Sequence, residues 1–348
     1  MTGAPPPWAV VLAGGVGSRF WPLSTPARPK QLLPLVSDAP LLTETITRLS
    51  PSVSPERTLV LTSASLVPAI AAAVPAIPRE HILAEPKPAG TAAALAWGAL
   101  EVARRSGSPD TVMISVHADW AVDDADGFRA ALEKAAAVAQ SAHRLVTVGV
   151  VPTRAETGFG YIRPGHATGD GVSCVDRFVE KPDAVRAQQL IDEGCLWNSG
   201  IFVWRAGDFL SEIRRVTPEV APALERASSI EAFFAAVTPI SVDQGVLERS
   251  DRVSVIPGDF GWDDVGTWAS LHRVRGRDAA GNATRGAVHL RDAEGNVVHA
   301  EGSTVVLYGV HDLVVVARDG LVMVTTRERS ADLKTLLDTL PAETRDRG

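Results

Sequence analysis

Cysteine, methionine and tyrosine are scarce in this chain: two, three and two residues among 348. Two cysteines cannot frame a disulfide-bonded fold, which makes a reducing cytoplasm the expected compartment. Cys174 and Cys195 have neither a CxxC spacing nor an adjacent histidine, so they read as small core residues. No apolar run approaches the roughly 20 residues of a membrane span. The start, MTGAPPPW, lacks the basic and apolar regions of a secretion signal. Basic residues number 34 against 41 acidic ones, a net charge of −7. Such a chain does not bind nucleic acid by bulk electrostatics, and any anionic ligand must be held by a local group of cations.

What is present is alternation. Short apolar runs at Ala9–Ala13, Thr58–Thr62, Thr111–Val116 and Leu145–Val151 predict strands, and the stretches Leu41–Leu49, Leu66–Val74, Thr91–Arg105 and Phe128–Ser141 predict helices. Thr91 is a candidate cap for the Ala-rich helix it opens. This is the pattern of an α/β fold with a largely parallel sheet. After Trp268 the polar, Gly-rich stretch at 273–286 reads as a linker, and short β-branched runs follow it. We therefore expect a domain over 1–275 and a small β domain over 282–348 with a closing helix. A coiled β-helix and a small sandwich both satisfy the spacing of the β runs.

The most informative stretch is VVLAGGVGSRFWPLSTPARPKQLLPL at 10–35. Glycines after a strand let the backbone approach a bulky anion, and Arg19 and Lys30 add positive charge for a polyphosphate. It contains neither the P-loop GxxxxGK[ST] nor the dinucleotide GxGxxG. Alone, such a loop could equally be a tight turn with two surface cations. Further motifs follow in order: HAD at 117–119, ETGFGYI at 156–162, FVEKP at 178–182, WNSGIF at 197–202, SVDQGV at 241–246 and GWDDVGTW at 261–268.

Together these resemble the sugar-1-phosphate nucleotidylyltransferases, specifically their guanylyltransferase branch, over almost the whole chain. The resemblance implies a Rossmann-like domain with a mostly parallel mixed sheet and a short left-handed β-helix at the C-terminus. It implies transfer of GMP from GTP to α-D-mannose 1-phosphate, releasing pyrophosphate, in a cytoplasmic homodimer without nucleic-acid or membrane partners. Residue by residue, it places Leu12, Ala13, Gly14, Gly15, Gly17, Ser18, Glu85, Pro86, Gly90 and Thr91 on the nucleotide. Arg19 and Lys30 become catalytic. Gly160, Tyr161, Glu180, Lys181, Asn198 and Asp243 fall on the sugar phosphate, and Asp119 and Asp264 become Mg²⁺ ligands. A few carboxylates completed by phosphate oxygens suit Mg²⁺ better than an all-protein cage.

Several alternatives remain at this level. A carboxylate at Glu85 suits the adjacent N–H donors of guanine, but Glu85 also reads as a solvated residue before a Pro turn. Gly90 stands where the guanylyltransferases carry Asn and resembles the thymidylyl- and uridylyltransferase arrangement. Another sugar phosphate, such as a heptose or glucose 1-phosphate, and a non-catalytic GDP-mannose-binding regulatory relative are the competing functions. Asp243 reads either as a ligand to hydroxyls or as a helix N-cap, and Asp263 reads as a cap of a helix starting near Val265. His117 reads as a strand-end residue packed under its loop. Glu180–Lys181 reads either as sugar ligands or as a salt bridge, and Trp21 and Trp262 either wall the site or fill the core. Some guanylyltransferases carry a fused isomerase domain of the cupin type, and no isomerase activity is expected here because the tail shows no His-rich metal pattern.

Overall fold

A computed structural model describes residues 5–15 and 18–345. The chain packs as two compact units. One comprises residues up to Gly14, Ile46–His117 and Asp124–Trp262, and the other comprises Gly15–Thr45, Ala118–Asp123 and Asp263 onward. The boundary expected at 275–282 lies inside the second unit.

The strands in chain order are β1 (Trp8–Leu12), β2 (Thr58–Ser63), β3 (Ile82–Glu85), β4 (Val112–His117), β5 (Ala121–Val122), β6 (Leu145–Val150), β7 (Gly160–Gly169), β8 (Val172–Glu180), β9 (Leu196–Arg205), β10 (Val253–Gly258), β11 (Trp262–Asp263), β12 (Ala283–Arg291), β13 (Val297–Tyr308), β14 (Leu313–Arg318) and β15 (Leu321–Thr326). The first unit is built on a nine-stranded sheet of order β3-β2-β1-β4-β9-β6-β10-β8-β7. β3, β2, β1 and β4 are parallel, and β8 and β9 run against the rest, so the sheet is mixed, as expected. β1, β2 and β4 read as continuous apolar runs because helices cover both faces of such a sheet.

Helix Gly90–Ser106 shows why alanine dominates its sequence. Ala92, Ala93, Ala96 and Ala99 are fully buried, and a Cβ on Gly98 would stand 3.1 Å from the Val10 side chain. Small residues let the helix axis approach the sheet closely. Its N-cap is Ala89, not Thr91, whose hydroxyl instead accepts from the Val242 amide at 2.9 Å. The β3 strand has no counterpart among the expected elements, being only four residues that end directly before Pro86.

In the second unit, β12, β13 and β14 pair in parallel and β15 returns antiparallel. Ala283 faces Val297 and Val297 faces Val314, offsets of 14 and 17 residues with no helix between the strands. Parallel neighbours joined this tightly form successive coils rather than hairpins. The stretch expected to be a linker is part of this unit: Arg275 and Asn282 are buried, and β12 starts within it. Asn282 Oδ1 accepts from Asn296 Nδ2 at 2.9 Å, and Asn296 Oδ1 in turn accepts from the Leu313 amide at 3.0 Å. Polar turn residues thus stack from coil to coil and satisfy buried backbone groups. The closing helix is short, Leu333–Leu337. No helix among the described residues is long and apolar enough to cross a membrane.

Candidate active site

Strand order reverses around β1 in the first unit: β2 follows on one side and β4 on the other. In open α/β sheets, ligands bind beyond the carboxyl ends of the strands at such a point. Leu12, Glu85 and His117 are the last residues of the parallel strands β1, β3 and β4. Beyond β1, Ala13 is tied to β2 by its amide to Leu61 O at 2.8 Å and by its carbonyl to Thr62 Oγ1 at 3.0 Å. Gly14 and Gly15 then emerge exposed. A Cβ on Gly14 would lie 3.9 Å from Glu85 Oε1, so the glycine backbone borders the carboxylate. Burial without a countercharge pushes the Glu85 carboxyl up to about 7. It is therefore not the solvated turn residue of the alternative reading.

Gly90 has a backbone reason to be glycine. Its φ is +81°, and a Cβ would stand 2.2 Å from Ile240 O. Its departure from Asn is thus explained without reference to the base.

Further along the same unit, Gly160, Glu180, Asn198 and Asp243 come together. A Cβ on Gly160 would touch Glu180 Oε2 at 2.8 Å and Asn198 Cβ at 3.5 Å. Asn198 Nδ2 donates to Asp243 Oδ1 at 2.7 Å, while burial raises the Asp243 carboxyl above its ordinary range. Asp243 is not an N-cap: the following amide of Gln244 bonds Ser241 Oγ instead. Lys181 Nζ pairs with Glu180 Oε1 at 2.6 Å, with both side chains more than half exposed. So exposed a pair contributes about 0–1 kcal/mol, leaving both groups free to exchange partners. The Tyr161 side chain is buried, and its hydroxyl donates to Glu156 O and accepts from Glu156 N, both at 3.0 Å. Its role is to close the ETGFGYI turn, which leaves only its backbone for a ligand. His117 packs against Gly200, whose added Cβ would meet its ring at 2.9 Å. Trp197 and Trp262 are buried against Phe159, and Arg154 lies over Trp197 at 4.9 Å. The motifs do not single out Arg154, although it stands two residues before the ETGFGYI stretch.

The second unit brings its three chemical residues into contact. Lys30 Nζ donates to Asp119 Oδ2 at 3.0 Å and to Asp264 O at 2.6 Å, joining positions 89 and 234 residues apart in sequence. Lys30 is buried, and its ammonium lies 6.0 Å from the Phe20 ring. Arg19 stands exposed on the turn Ser18–Phe20. Gly17 and the Ser18 side chain lie outside the described residues. Asp264 Oδ1 accepts from the Gly266 amide at 3.1 Å, bending the loop that presents it. Asp263 does not cap a helix. It is buried, accepts from Val265 N at 2.9 Å and pairs with Arg273 at 2.8 Å, while Thr267 caps the helix that follows. Trp21 is also interior, its indole donating to Arg345 O. Among the described residues, no group of three or more His, Cys, Asp or Glu side chains is placed to cage a metal.

Residues 8–280 match the family model described as nucleotidyl transferase. The chain belongs to the nucleotidyl transferase family. It is 38% identical to a mannose-1-phosphate guanylyltransferase of Escherichia coli K12, over 97% of this chain and 74% of that protein. It is 37% identical to the xanthan biosynthesis protein XanB of Xanthomonas campestris, covering 93% and 71% of the two chains. A crystal structure from Thermus thermophilus, described as a mannose-1-phosphate geranyltransferase, superposes with a TM-score of 0.88 at 36% identity, covering 95% of this nucleotidyl transferase and 98% of that chain.

Proposed function

We propose that the protein transfers GMP from GTP to α-D-mannose 1-phosphate, giving GDP-mannose and pyrophosphate. The convergence of Lys30, Asp119 and Asp264 from three distant segments carries the reading, and the relatives' names supply base and sugar. A phosphate oxygen of the sugar phosphate attacks the α-phosphorus of GTP in line, forming one P–O bond as the bond to pyrophosphate breaks. The attacking group is already anionic, so no side-chain nucleophile is needed and catalysis is positioning plus charge stabilisation. Lys30 leaves Asp119 to neutralise the α-phosphate, Arg19 stabilises the departing pyrophosphate, and Lys181 meets the sugar phosphate. Glu85 accepts from the guanine N–H donors while the Gly14, Gly15 and Ser18 backbone borders the phosphates. Asn198, Asp243, Glu180 and Gly160 take the sugar hydroxyls.

Asp119 and Asp264 are the residues that would hold Mg²⁺. Their fit follows from the donor set: a carboxylate and a carbonyl already converge on one cation, the Lys30 ammonium, and hard oxygen donors suit Mg²⁺. When bound, the ion supplies Lewis-acid neutralisation of phosphate charge. We also read the C-terminal coils as a left-handed β-helix and the chain as a cytoplasmic homodimer. The exposed Val306, Tyr308, Val322 and Val324 on those strands supply apolar surface for the partner copy.

The test is pyrophosphate release with four NTPs crossed against mannose, glucose and heptose 1-phosphates in Mg²⁺. GTP with mannose 1-phosphate should be fastest, and Lys30→Ala should lower kcat at least about a hundredfold. Release from no pair would leave the regulatory reading standing. A better rate with another sugar or base would replace the substrate assignment.

A further inference from the structure

Lys30 sits on the segment Trp21–Asp38, and besides its own local backbone hydrogen bonds four of this segment's carbonyls are held by side chains from beyond residue 267. Trp268 Nε1 donates to Trp21 O at 3.0 Å, Arg318 Nη1 to Leu23 O at 3.2 Å, Arg275 Nε to Leu35 O at 2.5 Å, and Arg285 to Ser37 O. Arg28, two residues before Lys30, reaches Glu301 Oε2 at 3.5 Å. Two of these anchors are linked. Arg275 Nη2 lies 3.1 Å from His299 Nδ1, and His299 Nε2 lies 3.1 Å from Glu301 Oε1. A guanidinium only donates, so Nδ1 must accept, and the ring proton sits on Nε2 and is given to Glu301. The chain Leu35–Arg275–His299–Glu301–Arg28 therefore closes a loop of directed hydrogen bonds around the two ends of the Lys30 turn.

We infer that His299 and Glu301 are positioning residues for Lys30, fixing through Arg275 and Arg28 the separation of the two ends of Arg28–Leu35. The inference rests on the reading of Lys30 as the cation for the transferred phosphate.

The burial of the network argues against a role as generic packing. His299 is fully buried and Arg275 nearly so, with one Arg275 nitrogen, Nη1, lacking a protein partner. Burial holds the Arg275 guanidinium down to about 9 and the His299 imidazole to about 4. An apolar cluster would close the same space at lower desolvation cost. What it would not supply is direction: charged groups at fixed angles specify where a backbone carbonyl must lie. Lys30 needs that definition, because its ammonium is held between Asp119 Oδ2 and Asp264 O and must turn from there onto the phosphate. A misplacement of about 1 Å in a catalytic group costs on the order of a hundredfold in rate.

The decisive experiment compares Glu301→Gln with wild type in the full chain. Glu301→Gln keeps shape but removes the charge that holds Arg28 and the His299 proton. Asp312→Asn, which breaks the Arg327 pair elsewhere in the same coils, is the control. Two readouts are taken: steady-state kinetics, and the rate at which an amine-acylating reagent modifies Lys30, followed by peptide mass spectrometry with Lys134 as internal reference. We expect Glu301→Gln to lower kcat about 10- to 100-fold and to speed Lys30 acylation at least fivefold, with Asp312→Asn within twofold on both. Acylation of Lys30 at the wild-type rate, or an unchanged kcat, overturns the positioning role even if thermal stability falls. Lys30→Ala separates the two ideas: if it is fully active, the functional reading of Lys30 fails, whereas its inactivation beside a normal Glu301→Gln protein sinks only the inference.

Discussion

Glu85 offers the sharpest test of base recognition. Its carboxyl is pushed up to about 7 because it is half-buried at the end of β3 without a countercharge. If the ionised form accepts the guanine donors, GTP binding requires deprotonation. With a pKa of about 7, the ionised fraction falls from roughly nine-tenths at pH 8 to one-tenth at pH 6, so KM for GTP should rise about tenfold over that range. Glu85→Gln removes this titration and replaces an acceptor by a donor facing donors. Losing charge-assisted hydrogen bonds worth about 3 kcal/mol should raise KM for GTP at pH 8 on the order of a hundredfold. Titration of the nucleotide itself is common to both proteins and cancels in the ratio of their KM values. The sign for stability is opposite. A carboxyl raised from 4.5 to about 7 on folding loses stability as pH rises through that window. After solvent screening, the glutamine variant should gain about 1–3 kcal/mol in the unliganded state at pH 8. The assay is pyrophosphate release at saturating mannose 1-phosphate from pH 6 to 8, with urea unfolding alongside. A wild-type KM that stays flat, or a glutamine variant with the same pH slope, would refute the assignment of Glu85 to the base.

Two further outcomes follow from the geometry. Gly90→Ala places a Cβ against the immovable Ile240 carbonyl at a positive φ and should cost about 3 kcal/mol in urea unfolding, with a neutral result refuting the steric account. His299, faced by Arg275, Arg285, Glu301 and the Trp268 ring, has its imidazole depressed from 6.5 to about 4. The unfolded chain then binds the extra proton, so stability falls as pH drops from about 6.5 toward 4, by about 2 kcal/mol at pH 5. His299→Gln, which can accept from Arg275 and donate to Glu301, should flatten that part of the profile. An unaltered acid limb would show that other groups cause it.

The parts of the fold legible in the sequence are those with short-range causes. Helix Leu41–Leu49 and the strands at Thr58, Val112 and Leu145 follow from periodicity. The strand-end glycines after Leu12 follow from the apolar run that precedes them. β3 is hidden because its four residues, stopped by Pro86, carry too few positions for a period to show. Asp263 and Asp243 mislead for one reason: an aspartate near a helix start suggests a cap, but whether its carboxylate turns to a nearby amide or to Arg273 or Asn198 depends on residues up to 45 positions away. The stretch 273–286 has the look of a linker because glycine, asparagine and aspartate mark solvated loops. Asn282 is instead a stacking residue whose partner, Asn296, belongs to the next coil. The His299–Glu301 network has no local signal, since its anchors on the Lys30 segment lie more than 200 residues upstream.

The discontinuous make-up of the second unit bears on biosynthesis. Lys30 leaves the ribosome early, yet Asp264 and the arginines that seat its segment are made after more than 230 further residues. The contacts that seat the Lys30 segment in the finished protein are therefore the last of its contacts to be synthesised. The side chains that seat the ends of the Lys30 turn come from the C-terminal coils and the stretch leading into them, so the turn is fully anchored only once those coils have been made.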